Sequence, residues 1–427
     1  MEVKAGYKQT EVGVVPEDWE VRPVGTMGDV RAGKALAARG AGQQRPYLRT
    51  KNVFDGRINL NDVLRMPMTE ADFSRYRLRH GDVLLNEGQS LELVGRCAIY
   101  EDEYPEPCAI QNQLVRFRAR VGVSAGFAAQ LFRHCQKSGV FTRIALQTTS
   151  VAHLGVSRFH RLQLAWPPQE AEQDAIAEAL SDADALIESL EQLLKKKRQL
   201  QQGAMQNLLT GKKRLPGFET NPGFKQTEVG AIPEDWEAKS LGDIGESLIG
   251  LTYKPTDVRS DGILVLRSSN IQEGSLCFDD NVFVDMEVPE RIMVRVGDIL
   301  ICVRNGSREL IGKCALLDEH AKGMTFGAFM AVFRTPAYRF VHHQFQSAVL
   351  KRQIHEHLGA TINQITNKSL NSFSIPLPRQ KAEQEAIAEA LSDMDGEIAA
   401  LESQLKKARA LKQGMLQEVL TGRIRLV

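Results

Sequence analysis

Cysteine is scarce and poorly placed for chemistry. The six residues Cys97, Cys108, Cys135, Cys277, Cys302 and Cys314 form no CxxC pair and no Cys/His spacing that could build a zinc site, so they read as buried free thiols. No run of about 18 apolar residues occurs, which argues against a membrane-crossing helix. The polar opening MEVKAGYKQTEVG has no signal-peptide character, and the cytoplasm is the expected location. A dominant charge is missing too: 54 Lys+Arg against 53 Asp+Glu leave a formal charge of +1, which excludes a chain coated in basic residues but not a local basic surface. Catalytic signatures are also lacking. TGKK (Thr210 to Lys213) fails as a phosphate loop, because Gln206 and Lys213 stand where a glycine and a hydroxyl are needed. Neither a paired acid/Lys arrangement nor a His-rich metal site stands out, so neither cofactor nor metal is expected.

What is present is a long helix written twice. The stretch Ala171 to Gly211 recurs as Ala382 to Gly422 at a constant offset, with 23 identities in the 37 positions from Ala175 to Gly211. Chance does not supply that, so the chain is a tandem duplication. The apolar positions follow a heptad. Ile176, Leu180, Ala183, Ile187, Leu190 and Leu194 correspond to Ile387, Leu391, Met394, Ile398, Leu401 and Leu405, a narrow seam for a partner helix. Beyond it, Lys197 and Gln201, with Ala408 and Lys412, weaken the seam, so the last turns are expected to face a different neighbour or solvent. About 40 residues at about 1.5 Å each make a rod of roughly 60 Å.

Charge sets the direction of pairing. The charged residues from Glu170 to Glu191 are all acidic and those from Lys195 to Arg198 all basic, and the second copy repeats the trend. Antiparallel pairing sets the acidic half of each helix against the basic half of the other and suits both helix dipoles. The alternative is a solvated amphipathic helix with its usual dipole bias.

The duplication extends further. A lead-in motif, KQTEVGVVPEDWE (Lys8 to Glu20), returns as KQTEVGAIPEDWE (Lys225 to Glu237). Its Pro16/Trp19 and Pro233/Trp236 form a turn pinned by an aromatic, read as a structural plug in preference to a docking residue. Between lead-in and helix lie two diverged segments. PYLRTKNVFDGRI parallels LVLRSSNIQEGSL, RHGDVLLNEGQSLELVGRCAIY parallels RVGDILICVRNGSRELIGKCALL, and QLVRFRA parallels FMAVFRT. Short β-branched or aromatic runs between turn residues predict strands, and Ser124 to Gln147 and Tyr338 to Gly359 have helical spacing. The chain thus divides into a lead-in (1–20), a mixed α+β segment (21–166), a long helix (167–211), a linker with the second lead-in (212–237), a second mixed segment (238–377) and a second long helix with its tail (378–427). The fold class is α+β: two mixed α/β domains separated by a pair of antiparallel helices, with a pseudo-two-fold repeat. The first segment carries 21 Lys+Arg against 12 Asp+Glu from Val21 to Trp166, and the second has 15 of each from Ala238 to Leu377, so charge favours the first as a polyanion binder.

Lead-in, diverged unit with GDVL or GDIL, polar loop, proline-capped helix with EQ and a closing LTG, all in duplicate, resembles the specificity subunit of type I restriction–modification systems. The resemblance covers essentially the whole chain. It implies two target-recognition domains, each reading one half of a bipartite double-stranded DNA target, asymmetric because the domains differ. It also implies helices that act as a ruler, spanning at most about 17 base pairs, and dock two modification (methyltransferase) subunits. Restriction subunits would join the larger complex. Catalysis would reside in those partners: WPPQ (Trp166 to Gln169) lacks both the acid/amide and the aromatic of an adenine-methyltransferase site. Two rival classes are a stand-alone nuclease with an unfamiliar site and a coiled-coil scaffold that binds only proteins.

Reading DNA needs hydrogen-bonding side chains on loops, with Arg suited to guanine and Asn or Gln to adenine. In the first segment the candidates are Arg49, Lys51, Asn52, Gln89, Ser90, Ser150, His153 and Arg158. In the second they are Arg267, Ser268, Asn270, Arg304, Asn305, Ser307, Arg308, Thr361, Asn363, Gln364, Asn367 and Lys368, with the RNGSR loop foremost. Asp82 and Asp298 are read as turn residues before a buried strand, not as catalytic acids.

Overall fold

The computed structural model describes residues 5–35, 40–148, 150–219, 223–360 and 363–426. The chain forms two compact units, Met1–Glu191 with Gln404–Val427, and Gln192–Ser403. Each contains one diverged segment, the first half of the helix that follows it and the second half of the other helix.

Each unit is built on a four-stranded antiparallel sheet. In the first unit its order is Gly28–Ala32, Leu114–Ala119, Asp82–Asn86, Cys97–Tyr100; in the second it is Glu246–Ile249, Met330–Arg334, Ile299–Cys302, Cys314–Leu316. The strand DVLLN is buried at all five positions, as a central strand covered on both faces should be. Alternation then sorts its side chains: Val83 and Leu85 join Val115 and Phe117 in one core, while Leu84 joins Leu114, Ala98 and Tyr100 in another. Ile299 and Ile301 against Leu300 and Cys302 repeat the division in the second unit. A helix covers the larger core, Ala125–Lys137 in the first unit and Tyr338–Gln346 in the second. Asp82 and Asp298 hold the turn before the central strand, accepting from the backbone N of Arg79 and Arg295 (both 2.8 Å). They also pair with Arg118 (2.7 Å) and Arg334 (2.8 Å), so these buried acids are structural.

The long helices run Glu170–Leu208 and Lys381–Val419. In the first unit Asp184 pairs with Lys412 and Glu191 with Arg409; in the second Arg198 pairs with Glu402 and Gln201 bonds Asp395. Rising numbers on one helix meet falling numbers on the other, so the pairing within each unit is antiparallel, acid against base. The seam residues Ile176, Leu180, Leu194, Ile387, Leu391, Ile398 and Leu405 are buried, and Ile187, Leu190 and Leu401 half-buried. One expectation is corrected. The seam does not turn away at Gln201 and Lys412, because Asp395 and Asp184 meet these polar side chains; Lys412 is 8% exposed. Apolar packing then resumes at Leu416, Val419 and Leu420 in the first unit, and at Met205, Leu208 and Leu209 in the second.

The lead-in motif and the closing LTG are two halves of one lock. Gly211 and Gly422 sit at φ +69° and +68°, where a side chain is strained, and a Cβ there would lie about 2.5 Å from the rings of Pro233 and Pro16. Trp19 and Trp236 are fully buried beside them. Arg425 binds Asp18 and the helix acid Glu172 (2.8 Å each); Arg214 does the same with Asp235 (3.0 Å) and Glu383 (2.7 Å). The plug reading of the tryptophans stands, and the Arg that completes each lock lies three residues after the LTG glycine.

Candidate nucleic-acid interface

Three loops meet at one end of the central strand in each unit, and backbone hydrogen bonds bring them together. In the first unit the strand runs out at Glu87, whose N donates to Gln113 O and whose O accepts from Leu154 N (both 2.8 Å). Gly88 and Gln89 then pair antiparallel with His153 and Ala152. In the second unit Val303 N donates to Phe329 O (3.0 Å), Val303 O accepts from Ile365 N (2.8 Å), and Arg304 pairs antiparallel with Gln364. The closing polar loop of each unit is therefore stitched to the turn after GDVL or GDIL, as a composite polar surface requires.

The sequence candidates divide on this frame. In the first unit Gln89, Ser90, Ser150 and His153 belong to the stitched loops, with Ser90 and Ser150 exposed, whereas Arg158, expected on the loop, lies in the short helix Val156–Arg161 that follows it. His153 Nδ1 lies 2.9 Å from Glu87 Oε2, which also accepts through Oε1 from Gly155 N (3.3 Å), so the ring is fixed from one side. Arg158 is turned inward, donating to His153 O (2.7 Å). Arg49 and Lys51 share Asp62 (2.7 and 2.9 Å), whose carboxyl is held below its usual range chiefly by the Lys51 hydrogen bond. A phosphate would have to compete with that acid for either cation.

In the second unit Arg304, Asn305, Ser307, Asn363 and Gln364 belong to the equivalent loops, whereas Lys368, expected on the closing loop, is exposed on the short helix Asn367–Ser372 that follows it. Arg304 is exposed, with its guanidinium 5.0 Å from the ring centre of Phe329, itself 57% exposed. Asn305 Nδ2 donates to Ser268 Oγ (3.2 Å), and Lys313 Nζ to Ser268 O (3.4 Å), tying in the Arg267–Asn270 turn. Ser307 N donates to Asn305 Oδ1 (2.9 Å). Arg267 is paired with Asp280 (2.8 Å). Thr361 lies outside the described residues.

Four candidates prove to be held by the protein itself. Asn52 and Asn270 are buried, 1% and 0% exposed. Each caps its turn by accepting from Arg49 N (3.0 Å) or Arg267 N (2.9 Å), and each spends its amide N–H groups on two carbonyls of the following loop. A buried, saturated amide has nothing left for a base edge. Arg308 donates to Leu358 O, and Asn367 to Ser247 O (3.1 Å).

Sequence reasoning missed Gln113, Phe329, Glu87 and Lys313. The signal was present: the aligned strands QLVRFRA and FMAVFRT differ in chemistry at their first residue, and a phenylalanine exposed at the head of a buried strand has no core to fill. Among the described residues no group of three or more His, Cys, Asp or Glu could hold a metal ion, and no helix is long and apolar enough to cross a membrane.

Comparison with known proteins is consistent across sequence and fold. The family model described as type I restriction modification DNA specificity domain matches residues 16–198 and again 233–408. A protein of Methanocaldococcus jannaschii, provisionally named the type I restriction enzyme MjaX specificity subunit, is 27% identical over 98% of this chain and 97% of its own. The crystal structure of the S subunit of a type I restriction-modification system from M. genitalium covers 98% of both chains with a TM-score of 0.60 at 15% identity. A structure described as bearing on complex assembly and conformational transition of the type I R-M system covers 96% of this chain and 99% of its own, with a TM-score of 0.52 at 17% identity.

Proposed function

The chain belongs to the type I restriction-modification DNA specificity family and is a specificity subunit with two target-recognition domains; on that premise we propose that each compact unit reads one half of a bipartite, asymmetric target in double-stranded DNA. The observation that carries this reading is the three-loop site itself, present once per unit on the same backbone frame but lined by different side chains. Equal frames with unequal linings suit two half-sites of unequal sequence. The long helices set the spacer between the half-sites and dock two methyltransferase subunits, with restriction subunits joining the larger assembly. Antiparallel pairing within each unit and the related structure's concern with complex assembly support that part. The chain is not itself an enzyme and acts in the cytoplasm; it lends sequence preference to partners that carry the chemistry.

Methylome sequencing of a host expressing this chain with its modification subunit tests the reading. The expected result is one methylated motif of two unlike half-sites with a fixed spacer, absent when the chain is omitted. Methylation with no sequence preference would favour a protein-only scaffold, and cleavage of DNA by the purified chain with a divalent metal would favour a nuclease; either result overturns the proposal.

A further inference from the structure

Superposing the two frames by their hydrogen bonds pairs individual positions. Glu87 answers to Val303 and Leu154 to Ile365, because each pair makes the same two backbone bonds, and the bridge partners Gly88 and His153 answer to Arg304 and Gln364. Gln113 answers to Phe329, since each supplies the carbonyl that receives the N–H of residue 87 or 303. One trio of positions thus converges at the head of the frame in each unit. It reads Gly88, Gln113, His153 in the first and Arg304, Phe329, Gln364 in the second.

The side chains fill the trio in complementary ways. In the first unit the carboxamide of Gln113 lies across Gly88, where a Cβ would stand 2.2 Å from Gln113 Oε1 and 3.4 Å from His153 Cε1. No residue but glycine leaves Gln113 that seat. In the second unit the position of Gly88 is taken by Arg304, and the position of Gln113 by the ring on which the Arg304 guanidinium rests. The residue that each unit projects is supported by what the other two positions supply. Glu87 fixes His153 beside Gln113, and Phe329 forms a flat platform under Arg304. The frame is common and the projecting chemistry has been exchanged, an amide in one unit for a guanidinium in the other.

Resting on the reading that each unit contacts DNA, we propose that these three positions are the specificity-determining trio of each recognition domain. Gln113 takes an adenine in the first half-site, and Arg304, levelled by Phe329, takes a guanine in the second. A carboxamide matches the N6 donor and N7 acceptor of adenine, and a guanidinium matches the paired O6 and N7 acceptors of guanine. Gln364 and His153 flank these contacts and read the neighbouring base pair.

The test uses the complete complex of this chain with its methyltransferase subunits, selecting from a randomised duplex library at two salt concentrations. Wild type, Arg304→Gln and Gln113→Leu are compared. The expected result for Arg304→Gln is loss of roughly ten- to hundredfold discrimination for guanine at one base pair of one half-site, with the other half-site and the spacer unchanged. Gln113→Leu should do the same for adenine in the opposite half-site. If Arg304→Gln fails to assemble, Phe329→Leu must weaken preference at that same base pair. A uniform loss of affinity across all sequences, with a shallower salt dependence and both motifs intact, would make Arg304 a phosphate contact and overturn the proposal. A wild-type complex with no sequence preference would instead overturn the functional reading beneath it, so the two failures are distinguishable.

Discussion

The two units solve one anchoring problem in opposite electrostatic ways. In each, the helix that covers the core is fastened to the long helix through the same two residues of a repeated SDxD motif. In the first unit Gln130 donates to Ser181 (3.3 Å), and Asp184 receives Arg133 (2.6 Å) and Lys412. In the second unit His343 meets Ser392 (3.2 Å) and approaches Asp395 at 3.8 Å, while Asp395 receives an amide from Gln201. Burial pushes both acids toward neutrality. Around Asp184 the two cations outweigh it and its carboxyl titrates below the ordinary range; around Asp395 only neutral donors answer and its carboxyl titrates above it. An identical motif therefore fixes where the anchor lies and leaves its charge to the partners that duplication allowed to drift.

The largest test of that contrast removes the acid itself. Asp184→Ala leaves Lys412, 9% exposed at its side chain, without its counter-charge and deprives Arg133 of one of its two acids. A loss of about 3 kcal/mol is expected. Asp395→Ala removes hydrogen bonds to neutral groups and should cost about 1 kcal/mol. Urea denaturation followed by hydrogen exchange, with peptides assigned to each unit, measures both. Equal losses would mean that the two anchors differ in appearance only.

Acid sharpens the contrast next. Burial holds the adjacent rings of His342 and His343 down to about 4, His342 lowered further by its neighbouring ring and His343 partly offset by a hydrogen bond to the Ala388 backbone of the long helix. A base whose folded-state pKa is depressed stabilises the fold fully above its unfolded value near 6.5, and that stability is lost as pH falls from there toward 4, because the unfolded chain binds the extra protons. Groups facing the pair are Gln346, Ser392 and Asp395. The expected loss is roughly 2 kcal/mol by pH 5 for each ring, less for His343 to the extent that Asp395 offers its protonated form a counter-charge. The first unit carries Gln130 at the place of His343, with only His134 among its covering helix residues shifted down by burial. Hydrogen exchange between pH 7 and pH 5 should therefore show Tyr338–Gln346 loosening before Ala125–Lys137. His343→Gln, which installs the first unit's residue, should halve the difference. Loosening of the first unit ahead of the second would break the comparison.

How much of this was legible in the sequence follows from where information repeats. The long helices, their heptad seam and their antiparallel sense were readable because charge and apolar period are local and occur twice. The lock between lead-in and LTG was not read, although both halves were conspicuous, because no period links them: one copy joins Asp18 to Arg425 across nearly the full chain, the other Arg214 to Asp235 across the linker. The seam was misjudged at Lys412 because an isolated polar residue in a heptad looks like an exit until its facing acid is known. At the candidate interface the loops were legible from their polarity, but polarity does not tell an inward amide from an outward one. Asn52 and Asn270 recur at equivalent positions for the same capping reason, whereas Gln113 and Phe329, at equivalent places in the candidate interface, do not recur at all. Within a duplicated frame, a residue that recurs can be assigned its structural role from either copy, whereas one that has diverged has to be placed by its contacts, as Gln130 and His343 show at the anchor.

The smallest expected effect tests the comparison where the two units should agree. Arg409 with Glu191 in the first unit and Arg198 with Glu402 in the second are both 2.6 Å ion pairs between the long helices, with the arginine side chains 58% and 54% exposed. Exposed pairs gain little over their hydrated parts and are screened by salt. Arg409→Ala and Arg198→Ala should each shift stability by less than about 1 kcal/mol, alike in both units and less still at high salt. Their common role is to set the direction of pairing, since a parallel arrangement would oppose acid to acid along the first half of each helix. A loss above about 2 kcal/mol from either would show that these surface charges hold the helices together, and the burden now assigned to Asp184, Asp395 and the apolar seam would pass to them.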